Sequence, residues 1–238
     1  DWRGAGRPYR VWPAARRAEP AARTLLHDPA GTRTAGDFPV DAVCNAANAG
    51  GLGGGGVDGG LHDCFLDSTL RDYIINNLPL SGPGQYCPTG SARLLVIPPA
   101  DTRAKVASTD GTPPSANVLN DKVKAILQAV GPTAANREHL LRRVYWNILE
   151  KCKQYGIRHV VIPPISTGIF AANDGLQTVG WVLDTIKTWM KANSGNQLKI
   201  VLTVFDGKLR ARYLRLARQH FSTAALDDEP VISKPRLV

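Results

Sequence analysis

The sequence predicts an α/β fold built on a mostly parallel sheet, and three observations carry that expectation. Short apolar runs rich in β-branched residues, at Val40 to Cys44, His159 to Ile162 and Leu198 to Phe205, have the length and character of strands covered on both faces. Other stretches repeat apolar residues at helical spacing, most cleanly from Asn136 to Tyr155. The two patterns alternate, as strands and crossover helices of a parallel sheet do. With 238 residues, 43% hydrophobic and 21% charged, the chain fits a soluble globular protein with a real core. No apolar run approaches the roughly 18–20 residues that span a bilayer.

Residues 1 to 36 carry Arg3, Arg7, Arg10, Arg16, Arg17, Arg23 and Arg33 against Asp1, Glu19 and Asp28. Pro8, Pro13, Pro20 and Pro29 disfavour a long helix there. The start at Asp1 reads as a fragment or a cleaved product. An Arg-rich, acid-poor start is compatible with a mitochondrial remnant, but the prolines argue against an amphipathic presequence. A polar extension with a first strand near Arg33 to Ala35 is preferred. The net charge of +9 implies attraction to polyanions and says nothing about fold. Four scattered cysteines form no CxxC or Cys/His cluster, so no metal or cofactor is expected. Cys44 and Cys152 sit on apolar faces and read as buried thiols of a reducing, intracellular compartment.

The stretch from Val40 to Gly60 organises the rest. A strand at Val40 to Cys44 is expected to end before Asn45 and Asn48. A glycine run from Gly50 to Gly60 follows, interrupted by Leu52, Val57 and Asp58. Glycine takes φ > 0 and lets a ligand approach the backbone, whose amides can cradle an anion. A helix expected over Leu61 to Leu70 adds the positive end of its dipole. No Gly-Lys-Ser/Thr closes the loop, so it is not a P-loop, and four consecutive glycines match a dinucleotide fingerprint only by chance. His62 can be read as a base or as a structural histidine; the structural reading is preferred.

Residues 76 to 122 are proline-rich and loop-like, with a strand at Leu94 to Ile97. A second strand spans Val123 to Val130 before Gly131-Pro132. From Asn136 to Tyr155, Leu140, Leu141, Val144, Tyr145, Ile148, Leu149 and Cys152 face inward, and Gly156 ends the helix. The strand His159 to Ile162 runs into a small-residue turn, Pro164 to Phe170. A helix follows over about Asp174 to Lys191, then a turn at Asn193 to Asn196. Leu198 to Phe205 reads as a central strand, with Phe205 and Asp206 at its carboxyl end, where ligands bind in open α/β sheets. In the last helix, Leu209 to Phe221, Leu209, Tyr213, Leu214, Ala217 and Phe221 turn inward and Arg210, Arg212, Arg215 and Arg218 outward.

Asn45 and Asn48, with Asp58 ten positions beyond Asn48 (58 − 48) in GGGGVDG, and the later Pro-Ile-Ser-Thr-Gly-Ile-Phe turn resemble the macrodomain family of ADP-ribose-binding modules. The glycine loop is most similar to MacroD-type ADP-ribosyl hydrolases; Val204 to Leu209 resembles the viral branch. The strand ending in Val130-Gly131-Pro132 and the turn at Cys87 to Ala92 are similar to family segments too. The resemblance covers roughly Arg33 to Phe221. It implies a three-layer α/β/α macrodomain with a mixed, mostly parallel central sheet at 33–221. A basic extension (1–32), a surface insertion (about 98–120) and a polar tail (222–238) lie outside the family pattern.

The resemblance also implies a site. Gly36-Asp37-Phe38 is similar to a Gly-Asp-Ile segment: the Asp37 carboxylate would accept from the adenine amine and the Phe38 backbone would meet a ring nitrogen, with Phe205 stacking on the base. Asn45, Ala47, Gly54, Gly55, Gly56 and Val57 on one side, and Ser166, Thr167, Gly168 and Ile169 on the other, would line the diphosphate and ribose. Phe170 would cover the distal ribose. Asn48 would hold the ribose hydroxyls, and Asp58 would orient or activate a water, or fix the ribose. Phe38 in place of Ile, and Ala171-Ala172-Asn173 where the family often has Gly-Tyr-Pro, depart from the pattern. The implied function is hydrolysis of mono-ADP-ribose from acidic side chains of proteins, with deacetylation of O-acetyl-ADP-ribose as a related activity. The alternative is a non-catalytic reader. The implied partners are ADP-ribose and mono-ADP-ribosylated proteins, with a polyanion (poly-ADP-ribose or RNA) on the basic surface, no membrane, and a monomeric state. A mitochondrial or viral-polyprotein origin is compatible with the same residues.

Overall fold

The structure, a computed structural model, describes residues 40–64, 67–97, 123–133, 137–167, 175–204 and 207–221. Five strands form one sheet: β1 Ala42–Ala47, β2 Ser91–Val96, β3 Ala125–Val130, β4 His159–Ile162 and β5 Lys199–Leu202, in the order β2-β3-β1-β4-β5. The β1–β3, β1–β4 and β4–β5 pairs are parallel, and β2 runs antiparallel to β3. Among the described residues five helices accompany them: α1 Val57–Cys64, α2 Asp67–Asn77, α3 Arg137–Gln154, α4 Gly175–Ala192 and α5 Gly207–His220. The sheet is therefore mixed and mostly parallel, as expected.

The two faces of the sheet separate two cores. Ala42, Cys44, Leu127, Val160 and Ile200 pack with Leu141, Tyr145, Leu183, Trp189 and Tyr213 of α3, α4 and α5. Val43, Ile126 and Val161, the alternate residues of the same strands, pack with Leu61, Leu70 and Ile74 of α1 and α2. Side chains alternate across a strand, so one apolar run serves both layers. The three-layer α/β/α arrangement follows.

Two strand expectations need correction. β1 spans Ala42–Ala47, so Asn45 lies inside the strand and not past its end. Its amide nitrogen finds two acceptors within the core, Asp58 Oδ1 and Gln128 Oε1, which offsets part of the cost of a polar residue in a buried strand. The strand expected to be central at Leu198 to Phe205 is β5, four residues long and at the sheet's edge among the described residues. Its apolar character comes from coverage by α4 and α5, with Leu198, Ile200, Leu202 and Val204 all in the core. The helix expected over Leu61 to Leu70 is two helices, and the first begins at Val57, earlier than expected. Gly56 starts it in a left-handed conformation (φ 67°), and its carbonyl accepts from Gly60 N at 3.0 Å.

Cys44 and Cys152 are buried free thiols as expected, and Cys87 joins them. Burial raises the Cys44 and Cys152 thiols and pushes Cys87 up to about 11. No described helix is long and apolar enough to cross a membrane. The segments 1–39, 98–122 and 222–238, which include the extension, the insertion and the tail, lie outside the described residues.

Candidate functional site

Because β1, β3, β4 and β5 are parallel, their carboxyl ends open on one edge. The chain leaves β1 there into Asn48 and the glycine loop, leaves β3 into Gly131-Pro132, and leaves β4 into the turn holding Ser166. Sequence reasoning pointed to this edge for the two loops.

Asp58 is the centre of the described site. It stands in the first turn of α1 and is 2% exposed. Asn45 Nδ2 donates to its Oδ1 at 2.7 Å, and Asn48 Nδ2 donates to its Oδ2 at 3.3 Å. His62, one turn on, brings Nε2 to 3.6 Å from Oδ1 and is also buried. Burial raises the Asp58 carboxyl above its ordinary range; the Asn45 hydrogen bond and the His62 charge oppose that rise. The outcome is a carboxylate of enhanced basicity fixed on both oxygens.

The glycine loop wraps over this carboxylate. Asn48 organises it: Nδ2 also donates to Gly53 O at 2.9 Å, and Oδ1 accepts from Gly51 N at 3.0 Å. Gly51 and Gly53 take φ of 66° and 103°, which side chains rarely adopt. A Cβ on Gly54 would lie 2.9 Å from Asp58 Oδ2 and 3.1 Å from Asn48 Nδ2, so the backbone of Gly54 seals the pair. Gly55 and Gly56 are exposed, and Val57 is half-buried as α1 begins. Ala47, in contrast, is buried beneath with Cys87 and Val130.

On the far side Ser166 has φ 60°, a left-handed conformation uncommon for a residue with a Cβ. Its carbonyl accepts from Arg137 Nη2 at 2.5 Å, while Arg137 Nη1 reaches Pro132 O at 3.4 Å. One buried guanidinium therefore ties the ends of β3 and β4 together. Tyr145 of α3 adds a second brace: its hydroxyl donates to Pro163 O at 3.3 Å and accepts from Ile165 N at 3.2 Å. Thr167 Oγ1 donates to Pro164 O at 2.9 Å and closes the turn. Gly131 lets the turn pass, since a side chain there would collide with Ser166 Oγ and Ile165.

The structure thus brings Asn45, Asn48, Gly54 and Asp58 together and holds Ser166 and Thr167 on the same edge. Asp37, Phe38, Gly168, Ile169, Phe170 and Phe205 lie outside the described residues. Asn45 is fully buried behind Asp58. Sequence reasoning missed Gln128 and Arg137 and read His62 as structural. The i, i+4 spacing of Asp58 and His62 on one helix was a usable signal, as was the one polar residue in the apolar run of β3. Nothing in the pattern marked Arg137.

Residues 113–174 match the family model of the Macro domain. A macro domain-containing protein of Xanthomonas campestris is 27% identical over 189 residues, 78% of this chain and 92% of that protein. ADP-ribose glycohydrolase MACROD1 of Mus musculus is 30% identical over 186 residues; the alignment covers 78% of this chain and half the length of the mouse protein (50%). A mutant macrodomain of Oceanobacillus iheyensis, solved with ADPR, superposes with a TM-score of 0.57 at 22% identity, over 76% of this chain and 86% of that one. The family model, the relatives and the shared fold agree with the site geometry: the chain is similar to proteins of the macrodomain family.

Proposed function

We propose that this protein binds ADP-ribose across the carboxyl edge of the sheet and hydrolyses mono-ADP-ribose from aspartate and glutamate side chains. The observation that carries the reading is the Asp58 carboxylate, buried at the start of α1, held by Asn45 and Asn48 and roofed by Gly54. A similar mouse protein is named an ADP-ribose glycohydrolase, which supports the same activity here.

Backbone amides of the glycine loop and of the Ser166 turn meet the diphosphate, so the site needs few cationic side chains. Asp37, Phe38 and Phe205 take the adenine, and Phe170 covers the distal ribose. The bond that breaks joins ribose C1″ to the acyl oxygen of the modified side chain. A water supplies the attacking oxygen, its proton passes toward Asp58, and the carboxylate of the target leaves. An acyl oxygen departs readily, so no side-chain nucleophile is required. A carboxyl of raised pKa is the better proton acceptor while it remains ionised. Positioning of water and ribose supplies much of the remaining acceleration.

Hydrolysis of a glutamate-linked mono-ADP-ribosylated protein tests the reading, with calorimetry of ADP-ribose binding alongside. Asp58→Ala is expected to keep ADP-ribose affinity within a few-fold and to lose about 100-fold or more in turnover. Binding without release by the wild-type chain would sink the hydrolase reading and leave a reader module. A basic surface for polyanions is a separate proposal, favoured by the exposed Arg215 and Arg218 of α5. It requires affinity that falls steeply with salt, and salt-independent binding would overturn it.

A further inference from the structure

Asn45 Nδ2 has two hydrogens and two acceptors. One is Asp58 Oδ1 at 2.7 Å; the other is Gln128 Oε1 at 2.9 Å. Gln128 sits on β3 directly across from Asn45 in the parallel register, and both side chains are fully buried. The flanking residues of β3, Ala125, Ile126, Leu127, Ala129 and Val130, are all buried and apolar.

Gln128 is poorly explained by stability. Its Nε2 is buried without a hydrogen-bond partner among the described residues. A buried amide left half-satisfied costs free energy, and an apolar residue of the same size would avoid the cost. We infer that Gln128 is a positioning residue for the Asp58 carboxylate, acting through Asn45. The inference deepens the hydrolase reading and rests on it for its consequence in turnover.

The chain of cause is short. An ionised Asp58 requires Asn45 with its nitrogen forward. That nitrogen carries a second hydrogen inside the sheet, away from water. Gln128 Oε1 accepts it, so the charged form of Asp58 is compatible with a fully bonded Asn45 nitrogen. Without that acceptor, every ionised Asp58 leaves a buried N–H unsatisfied. A turned Asn45 would present its oxygen to Asp58, an orientation that suits only the protonated acid, and the acceptor on Gln128 opposes that turn. Gln128 therefore favours the charged form. The groups facing Asp58 are His62 from its own helix, the neutral amides of Asn45 from β1 and Asn48 from the loop, and Gln128 one hydrogen bond further on β3. Burial of Asp58 already opposes its ionisation, which is the direction this relay counters.

The test is a carboxyl-carbon NMR titration of the intact chain, with the Asp58 signal assigned by its loss in Asp58→Asn. Gln128→Met and Gln128→Leu are compared with wild type, together with urea unfolding of each. Both variants are expected to fold, with an unfolding midpoint equal to or above that of wild type. The Asp58 titration is expected to move upward by about one pH unit, since the variant loses the acceptor that holds the Asn45 nitrogen, and not its oxygen, toward the carboxylate. An unmoved Asp58 titration in a folded variant overturns the inference. Loss of folding in both variants also overturns it, because the amide would then serve the fold. The titration needs no substrate, so failure of the hydrolase reading leaves its outcome intact. If that reading holds, the acid limb of turnover moves up with Asp58.

Discussion

Gly59→Ala separates the fold from the site. Gly59 lies in the first turns of α1, where alanine is favoured over glycine by about 1 kcal/mol. By helix propensity alone the substitution stabilises. An alanine Cβ there, however, would stand 2.5 Å from the backbone oxygen of Gly54. Ordinary contact begins at 3.4 Å, so the loop must retreat by about 0.9 Å (3.4 − 2.5). Gly54 is the residue that roofs Asp58 Oδ2 and Asn48 Nδ2. A misplacement of about 1 Å at a reacting centre costs on the order of 100-fold in rate. The expected result is a folded chain with a melting temperature at or below that of wild type, because the clash with the Gly54 backbone offsets the gain in helix propensity, with weakened ADP-ribose binding by calorimetry and a drop of about 100-fold in kcat/KM on a glutamate-linked substrate. Wild-type affinity and turnover in Gly59→Ala would refute the reasoning. They would mean that the loop moves freely without disturbing the Asn48–Asp58 pair.

Gly131→Ala is expected to destabilise by about 1–3 kcal/mol, as overpacking does, because the added carbon collides with Ser166 Oγ and Ile165; urea unfolding measures it. Asp58 gives a pH-dependent prediction. Its pKa is raised in the folded chain by burial, so the folded state holds the proton to higher pH than the unfolded one. Ionised Asp58 therefore subtracts from stability as pH rises from the ordinary aspartate range, about 4, through the raised native value, and contributes nothing below that range. Asp58→Asn is expected to be more stable than wild type at pH 7, with the difference vanishing near pH 3. Urea midpoints at the two pH values check the sign, and a difference that grows on acidification would contradict it.

Strand and helix periods were legible because one physical cause writes them. The face of α3 read from the sequence is the buried face: Leu141, Val144, Tyr145, Ile148, Leu149 and Cys152. β4 was read with its observed bounds, His159–Ile162. Strand order was not legible, because an apolar run reports coverage of its faces and not the presence of neighbours on its edges. β5 is apolar because α4 and α5 cover it. The start of α1 was misjudged because Gly59 and Gly60 are poor helix formers. Gly59 is present for the close approach of Gly54 O, a tertiary reason that helix propensity does not contain. The glycine loop and the Ser166 turn were legible as motifs. The reach of Arg137 from the start of α3 to the carbonyls of Pro132 and Ser166 depends on packing between distant segments.

The site's central group is anchored in the sheet. β1 reads AVCNAA and β3 reads AILQAV, and each strand has one amide in an otherwise apolar run. Either amide alone would weaken a strand buried on both faces. The parallel register sets Asn45 opposite Gln128, on the face that carries Ile126 and Val43 toward α1. There the two amides bond one another, and the remaining Asn45 hydrogen is directed at Asp58. The carboxylate is thus fixed from two interior strands of the sheet, and the loop above it can be almost all glycine. Backbone in place of side chains then lines the edge above Asp58, while the orientation of Asp58 is set from below.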